Sequence, residues 1–103
     1  MSKPVVVSIP HRLGKEEARR RIETGLGSVR THFGSVLTVQ EEVWSGDNLA
    51  FRASVLSQQT TGTIAVADDH VRFEVLLPWA LALLAEGAAN IIRSRGQLML
   101  DKK

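Results

Sequence analysis

The sequence predicts a small α+β domain of order β-α-β-β-β-β-α, and three observations carry that prediction. The first is alternation: Val71, Phe73, Val75 and Leu77 alternate with Arg72 and Glu74, so one face of a strand is apolar. The second is a stripe of Ala18, Ile22, Leu26, Val29 and Phe33, recurring at steps of four, four, three and four, as on an amphipathic helix. The third is a nearly charge-free run from Trp79 to Arg93 behind Pro78, which reads as a closing helix. That run carries more apolar surface than one sheet face needs.

Each element has its own signal. Val5-Val6-Val7-Ser8-Ile9 is a β-branched run closed by Pro10, a first strand. Pro10 to Gly14 is a turn, and a helix follows from about Lys15 to Phe33. Glu16 and Glu17 occupy its first turn, where acidic groups suit the helix dipole. Gly25 and Gly27 each cost about 1 kcal/mol relative to Ala, so this helix must lean on tertiary packing. Gly34 is placed to end it in a left-handed cap. Val36 to Ser45 is a second strand, Ser45-Gly46-Asp47-Asn48 a turn, and Leu49 to Ser57 a third strand. Gln58-Gln59-Thr60 reads as a looser connection. A hairpin follows from Thr61 to Leu77, folded about Asp68-Asp69. Pro78 fits the first turn of the final helix, where its missing N–H costs nothing. The segment from Gly96 either extends that helix or docks separately.

Four consecutive antiparallel strands form a meander, and the first strand can pair antiparallel with the fifth. The expected architecture is a five-stranded antiparallel sheet in spatial order 1-5-4-3-2. The first helix makes a right-handed crossover, and both helices lie on one face in a helix-grip-like layer.

At 103 residues the chain reads as a single domain, 1–103, which buries roughly 65% of the surface its unfolded form exposes. Oligomerisation would help so modest a core, and a homodimer is expected. Zero Cys excludes disulfides, thiolate metal sites and Cys nucleophiles. Met1 to Ser8 is too brief for a signal peptide or a membrane span, so a cytoplasmic protein is expected. The net charge of +2, from nine Arg and four Lys against eleven acidic residues, is a weak argument for nucleic acid.

Few residues suggest chemistry. Arg19-Arg20-Arg21 lies within reach of Glu16, Glu17 and Glu23 along the helix and reads as a solvated face braced by ion pairs. No aromatics interleave with it, so a stacking platform for single strands is absent. His11, His32 and His70 share no metal-ligand spacing, and neither a metal nor a cofactor is expected. His11 stands between strand and helix, either as a helix-entry residue bonded to backbone or as part of a polar site with Glu41. Glu41 alternates in phase with Leu37, Val39 and Val43. It would face the interior with a raised pKa unless a β-bulge or an edge position turns it outward. No nucleophile elbow and no phosphate loop is present, and enzymatic activity is not expected.

On a helical wheel Leu81, Leu84, Ala85, Ala88, Ile91 and Ile92 form a wide core face, opposed by Glu86, Asn90 and Arg93. Arg95 falls on the apolar side, with its charge snorkelling. Trp79 and Leu83 project near the polar side, and Leu76 projects from the outward face of the fifth strand. Together these three define a candidate interface patch.

Ile9-Pro10-His11-x-Leu13 followed by Glu17-Ala18-Arg19 resembles the opening of the polyhydroxyalkanoic acid system (granule-region) proteins. Gly62-x-Ile64-x-Val66-x-Asp68-Asp69-x-Val71, running into Glu74-Val75-x-Leu77-Pro78, resembles that family's second signature. The likeness extends from about Val5 to Ile92. It implies a small bacterial cytoplasmic protein associated with storage-polyester synthesis or granules, and it brings no catalytic residues. Two binding readings follow. In one, Leu76, Trp79 and Leu83 meet the polyester granule, its synthesis proteins or a second copy. In the other, a small acyl ligand lies between the sheet and the last helix, in room left by Ala80, Ala82, Ala85, Ala88 and Ala89.

Overall fold

The computed structural model describes residues 2–100, in the predicted order of elements. Strand β1 (Ser2–Pro10) leads into helix α1 (Lys15–His32). Strands β2 (Leu37–Ser45), β3 (Asn48–Val55), β4 (Gln58–Val66) and β5 (His70–Pro78) then form the meander. A 3-10 turn, Trp79–Leu84, precedes helix α2 (Ala85–Leu100). The sheet order is β1-β5-β4-β3-β2, antiparallel throughout.

Register puts the apolar alternates on one face. Val5, Val7 and Ile9 of β1 stand opposite Val75, Phe73 and Val71 of β5, and Ile64 lies between Leu49 and Phe73. The core is this face together with Ala18 and Ile22 of α1, Leu81 of the 3-10 turn, and Ala85 and Leu100 of α2. Ile9, Ile22, Leu49, Val7 and Val71 are fully buried, each contributing about 1.5–3 kcal/mol relative to exposure.

The helices sit down unevenly. Helix α2 packs chiefly on β1 and crosses α1. Gly96 lets it approach, since a Cβ there would overlap Ile9 Cδ1, and Gly25 gives Met99 its place at the α1–α2 crossing. The N-terminal half of α1 is clamped to the β2–β3 turn. Arg19 Cζ lies 4.3 Å from the Trp44 ring centroid, and Arg19 Nη1 donates to the Gly46 carbonyl at 2.9 Å. Lys15 Nζ lies 3.4 Å from Asp47. Past Ile22 the stripe of α1 is only half-buried, and Leu26, Val29 and Phe33 stand over a gap.

Local details depart from the sequence expectations, each for a physical reason. Strand β4 begins at Gln58 rather than Thr61, because Leu56 and Ser57 alone form the turn, with φ of 52° and 68°. Both values are left-handed, which matches the twist of a two-residue hairpin, but neither residue advertises it as Asn-Gly would. Helix α1 ends on Phe33, at φ −106°, without a left-handed glycine cap at Gly34. The closing helix starts as a 3-10 turn, whose tighter winding shifts the phase of everything after it. Leu84 and Ile91, expected in the core, are about half exposed. Gly96 to Leu100 continue α2.

Candidate functional site

The gap beneath α1 is an apolar cleft of about 380 Å³ between the sheet, the second half of α1 and α2. Leu26, Val29 and Phe33 form its roof. Phe51, Ala53, Val55 and Val75 form the floor, and Ala88, Ile91, Ile92 and Met99 the α2 wall. That volume lies within the range of small-molecule sites. An engineered cavity of about 150 Å³ holds benzene, six heavy atoms, so by the same ratio this one holds roughly fifteen. Small side chains make the room: Ala88, half-buried on α2, stands where a larger residue would fill it. Phe51 lies across Gly62, which lets the ring lie flat on β4.

Polarity is confined to the rim. Thr60 borders the cleft, but its hydroxyl donates to the Leu76 carbonyl at 2.7 Å. Charged side chains come only from Arg30, Glu42 and Arg95 among the described lining residues. Arg30 is ion-paired with Glu42, tying the far end of α1 to β2 across the rim. Arg95 places its guanidinium carbon 5.2 Å from the Phe33 ring centroid.

The β2 bulge shapes this edge. Val39 pairs with Ala53, but Glu41 pairs with Arg52, so Gln40 is the extra residue. The shift turns Glu41 onto the outer face, where Arg52 Nη2 lies 3.6 Å away. It brings Glu42 and Trp44 to the cleft side and leaves Val43 facing out. Glu41 therefore does not face the interior.

His11 is buried, at the point where β1 leaves the sheet. Its Nδ1 accepts the Leu13 N–H at 3.1 Å, which leaves Nε2–H to donate to the Ala67 carbonyl at 3.1 Å. Its own N–H bonds the Asp69 carbonyl. His11 thus ties the entry of α1 to the β4–β5 hairpin. His11 and Glu41 lie on different parts of the molecule: His11 at the β4–β5 turn, Glu41 on the outer face of β2.

The arginine run is neutralised locally. Arg20 and Arg21 both donate to Glu17, at 2.6 and 2.8 Å, and these bonds draw the Glu17 carboxyl from 4.5 down to about 2. Arg19 pairs with Glu23 at 3.4 Å. Among the described residues no group of three His, Asp or Glu could hold a metal ion, and no helix is long and apolar enough to cross a membrane.

Leu76, Trp79 and Leu83 are exposed at 43%, 73% and 99%. Leu76 lies on the outer sheet face beside Thr61, Thr63 and Glu74, in a shallow hollow that Val43 and Ala50 also line. Trp79 and Leu83 lie on the 3-10 turn. Sequence reasoning placed surplus apolar surface here and offered room between the sheet and the last helix; what it left out is the contribution of α1, whose Leu26, Val29 and Phe33 roof the cleft. The available signal was the stripe of α1, which continues three apolar residues beyond what the sheet covers.

A family model described as "Putative polyhydroxyalkanoic acid system protein" matches residues 5–99. No curated protein and no solved structure matches the chain.

Proposed function

Since the chain belongs to that polyhydroxyalkanoic acid system family, we propose that it is a binding module of polyester metabolism, not an enzyme, which receives an apolar chain in the cleft between sheet and helices. The single observation behind this reading is a cleft of about 380 Å³ with an apolar interior and charges only at its rim. Burial of apolar surface yields about 25 cal/mol per Å², so a chain filling it gains several kcal/mol before the cost of ordering. The side chains and monomers of such polyesters are of this chemistry.

Isothermal titration with methyl 3-hydroxydecanoate, a neutral monomer-like probe, tests the proposal. Saturable one-to-one binding that survives Trp79→Asp with Leu83→Asp supports it. No heat of binding up to the solubility limit of the probe sinks it.

A second reading rests on the exposure of Trp79 and Leu83. Through them, with Leu76, the protein would attach to the polyester granule, its synthesis proteins or a second copy of itself. Granule sedimentation of wild type against the Trp79→Asp, Leu83→Asp double variant examines it; equal sedimentation removes the patch from the account.

A further inference from the structure

The three charged groups on the rim are not equivalent. Arg30 and Glu42 satisfy each other. Arg95 has no carboxylate within ion-pair distance among the described residues, and its guanidinium lies over the face of Phe33. Its position in the sequence makes that notable. Arg93 lies on the exposed side of α2, whereas Arg95 is half-buried on the side of Ile91, Ile92 and Met99, which line the cleft. A cation held against apolar surface loses hydration, and stacking on a phenyl ring returns only part of it. The guanidinium keeps a fork of N–H donors suited to a planar anion.

We propose that the cleft binds a single-chain amphiphile, a medium-chain carboxylate, with its alkyl tail between the sheet and α2 and its head paired to Arg95. This rests on the cleft reading above and adds the head group to it. Charge complementarity selects the occupant. The rim carries two cations and one anion, and Arg95, the cation without an ion-pair partner among the described residues, lines the cleft beside Ile91, Ile92 and Met99. Room for roughly fifteen heavy atoms suits an acyl chain of about ten carbons with its carboxylate outside. A neutral alcohol or ester would leave Arg95 as it is.

Decanoate and 1-decanol, each below its aggregation concentration, are titrated into wild type, Arg95→Gln, Arg95→Lys and Arg93→Gln. Circular dichroism melts confirm that each variant is folded. A charge-assisted bidentate contact at a partly exposed rim is worth about tenfold in affinity. Decanoate is expected to bind Arg95→Gln about tenfold more weakly than wild type, with Arg95→Lys intermediate and Arg93→Gln unchanged. Decanol is expected to bind wild type and Arg95→Gln alike. If decanoate binds Arg95→Gln as tightly as wild type, or Arg93→Gln loses as much, the head-group assignment is overturned while the cleft stands. If neither probe binds wild type, the cleft reading itself fails, and the head-group proposal with it.

Discussion

An open cleft and a packed core respond with opposite sign to the same substitution, and Ala88→Leu exploits this. Ala88 is half-buried on α2 and lines the cleft. Leucine is nearly as good a helix former as alanine, so propensity contributes little. Three added carbons at about 0.8 kcal/mol each, less about 0.5–1 kcal/mol of lost rotamer freedom, leave a gain of about 1.5 kcal/mol. In a domain near 100 residues that raises Tm by about 6–12 °C. The same carbons take roughly a fifth of the cleft, so affinity for a ten-carbon probe should fall at least tenfold. Thermal melts followed at 222 nm, paired with titration of methyl 3-hydroxydecanoate, read both quantities. Overpacking of a filled interior would instead cost about 1–3 kcal/mol. A lowered Tm for Ala88→Leu would therefore refute the claim that the space is open, whatever the binding result. The expected combination, greater stability with weaker binding, marks a site kept hollow for use.

Three further outcomes follow from local geometry. Replacing Leu56-Ser57 by Asn-Gly relieves two left-handed non-glycine residues, at about 1–2 kcal/mol each less the unfolded-state entropy of Gly; the urea midpoint should rise by an equivalent of about 1–2 kcal/mol, and no rise would mean the turn is unstrained. His11→Ala orphans both the Leu13 N–H and the Ala67 carbonyl, so unfolding free energy should fall by about 2–3 kcal/mol, as measured by urea denaturation; a loss below 0.5 kcal/mol, roughly a surface substitution, would show that water replaces the ring. The Glu17 carboxyl, lowered from 4.5 to about 2 by Arg20 and Arg21, contributes stability that is present above about pH 4.5 and fades as pH falls toward 2. Glu17→Gln should flatten the acid side of the stability profile between those limits, and an unchanged slope from pH 5 to 2 would contradict the pairing.

Much of the fold was legible because its signals are local. Alternation in β5, the β-branched run of β1 and the stripe of α1 fix the types of element. The meander then leaves β1 one open partner, β5, which the register from Val5–Val75 to Ile9–Val71 realises. Where local signals were weak, details went astray. Leu56-Ser57 lacks the Gly or Asn that marks a left-handed two-residue turn, so the start of β4 falls three residues before the expected Thr61. The 3-10 winding of Trp79–Leu84 depends on how β5 delivers the chain onto the core. A wheel drawn from Pro78 therefore misplaced Leu84 and Ile91.

The cleft was less legible for a different reason: it depends on a distance between layers, which no periodicity encodes. Leu26, Val29 and Phe33 carry the same helical spacing as Ala18 and Ile22, yet only the latter pair is buried. The buried pair lies on the half of α1 that Arg19 holds to Trp44 and Gly46, while Arg30 and Glu42 meet across the rim at the other end. The excess of apolar side chains was visible in composition, and so was the room that alanines could leave. That Ala88, and not Ala80 or Ala85, provides it required the phase of α2.

The central claim, that apolar ligands enter between the layers and not onto the surface, is tested most directly by methyl-resolved NMR. Methyl groups of Ile, Leu and Val are followed during titration with methyl 3-hydroxydecanoate. The account predicts saturating shifts at Leu26, Val39, Val75, Ile91 and Ile92, with Leu83 and Leu98 stationary. Shifts confined to Leu76 and Leu83, with the cleft methyls unmoved, would contradict it.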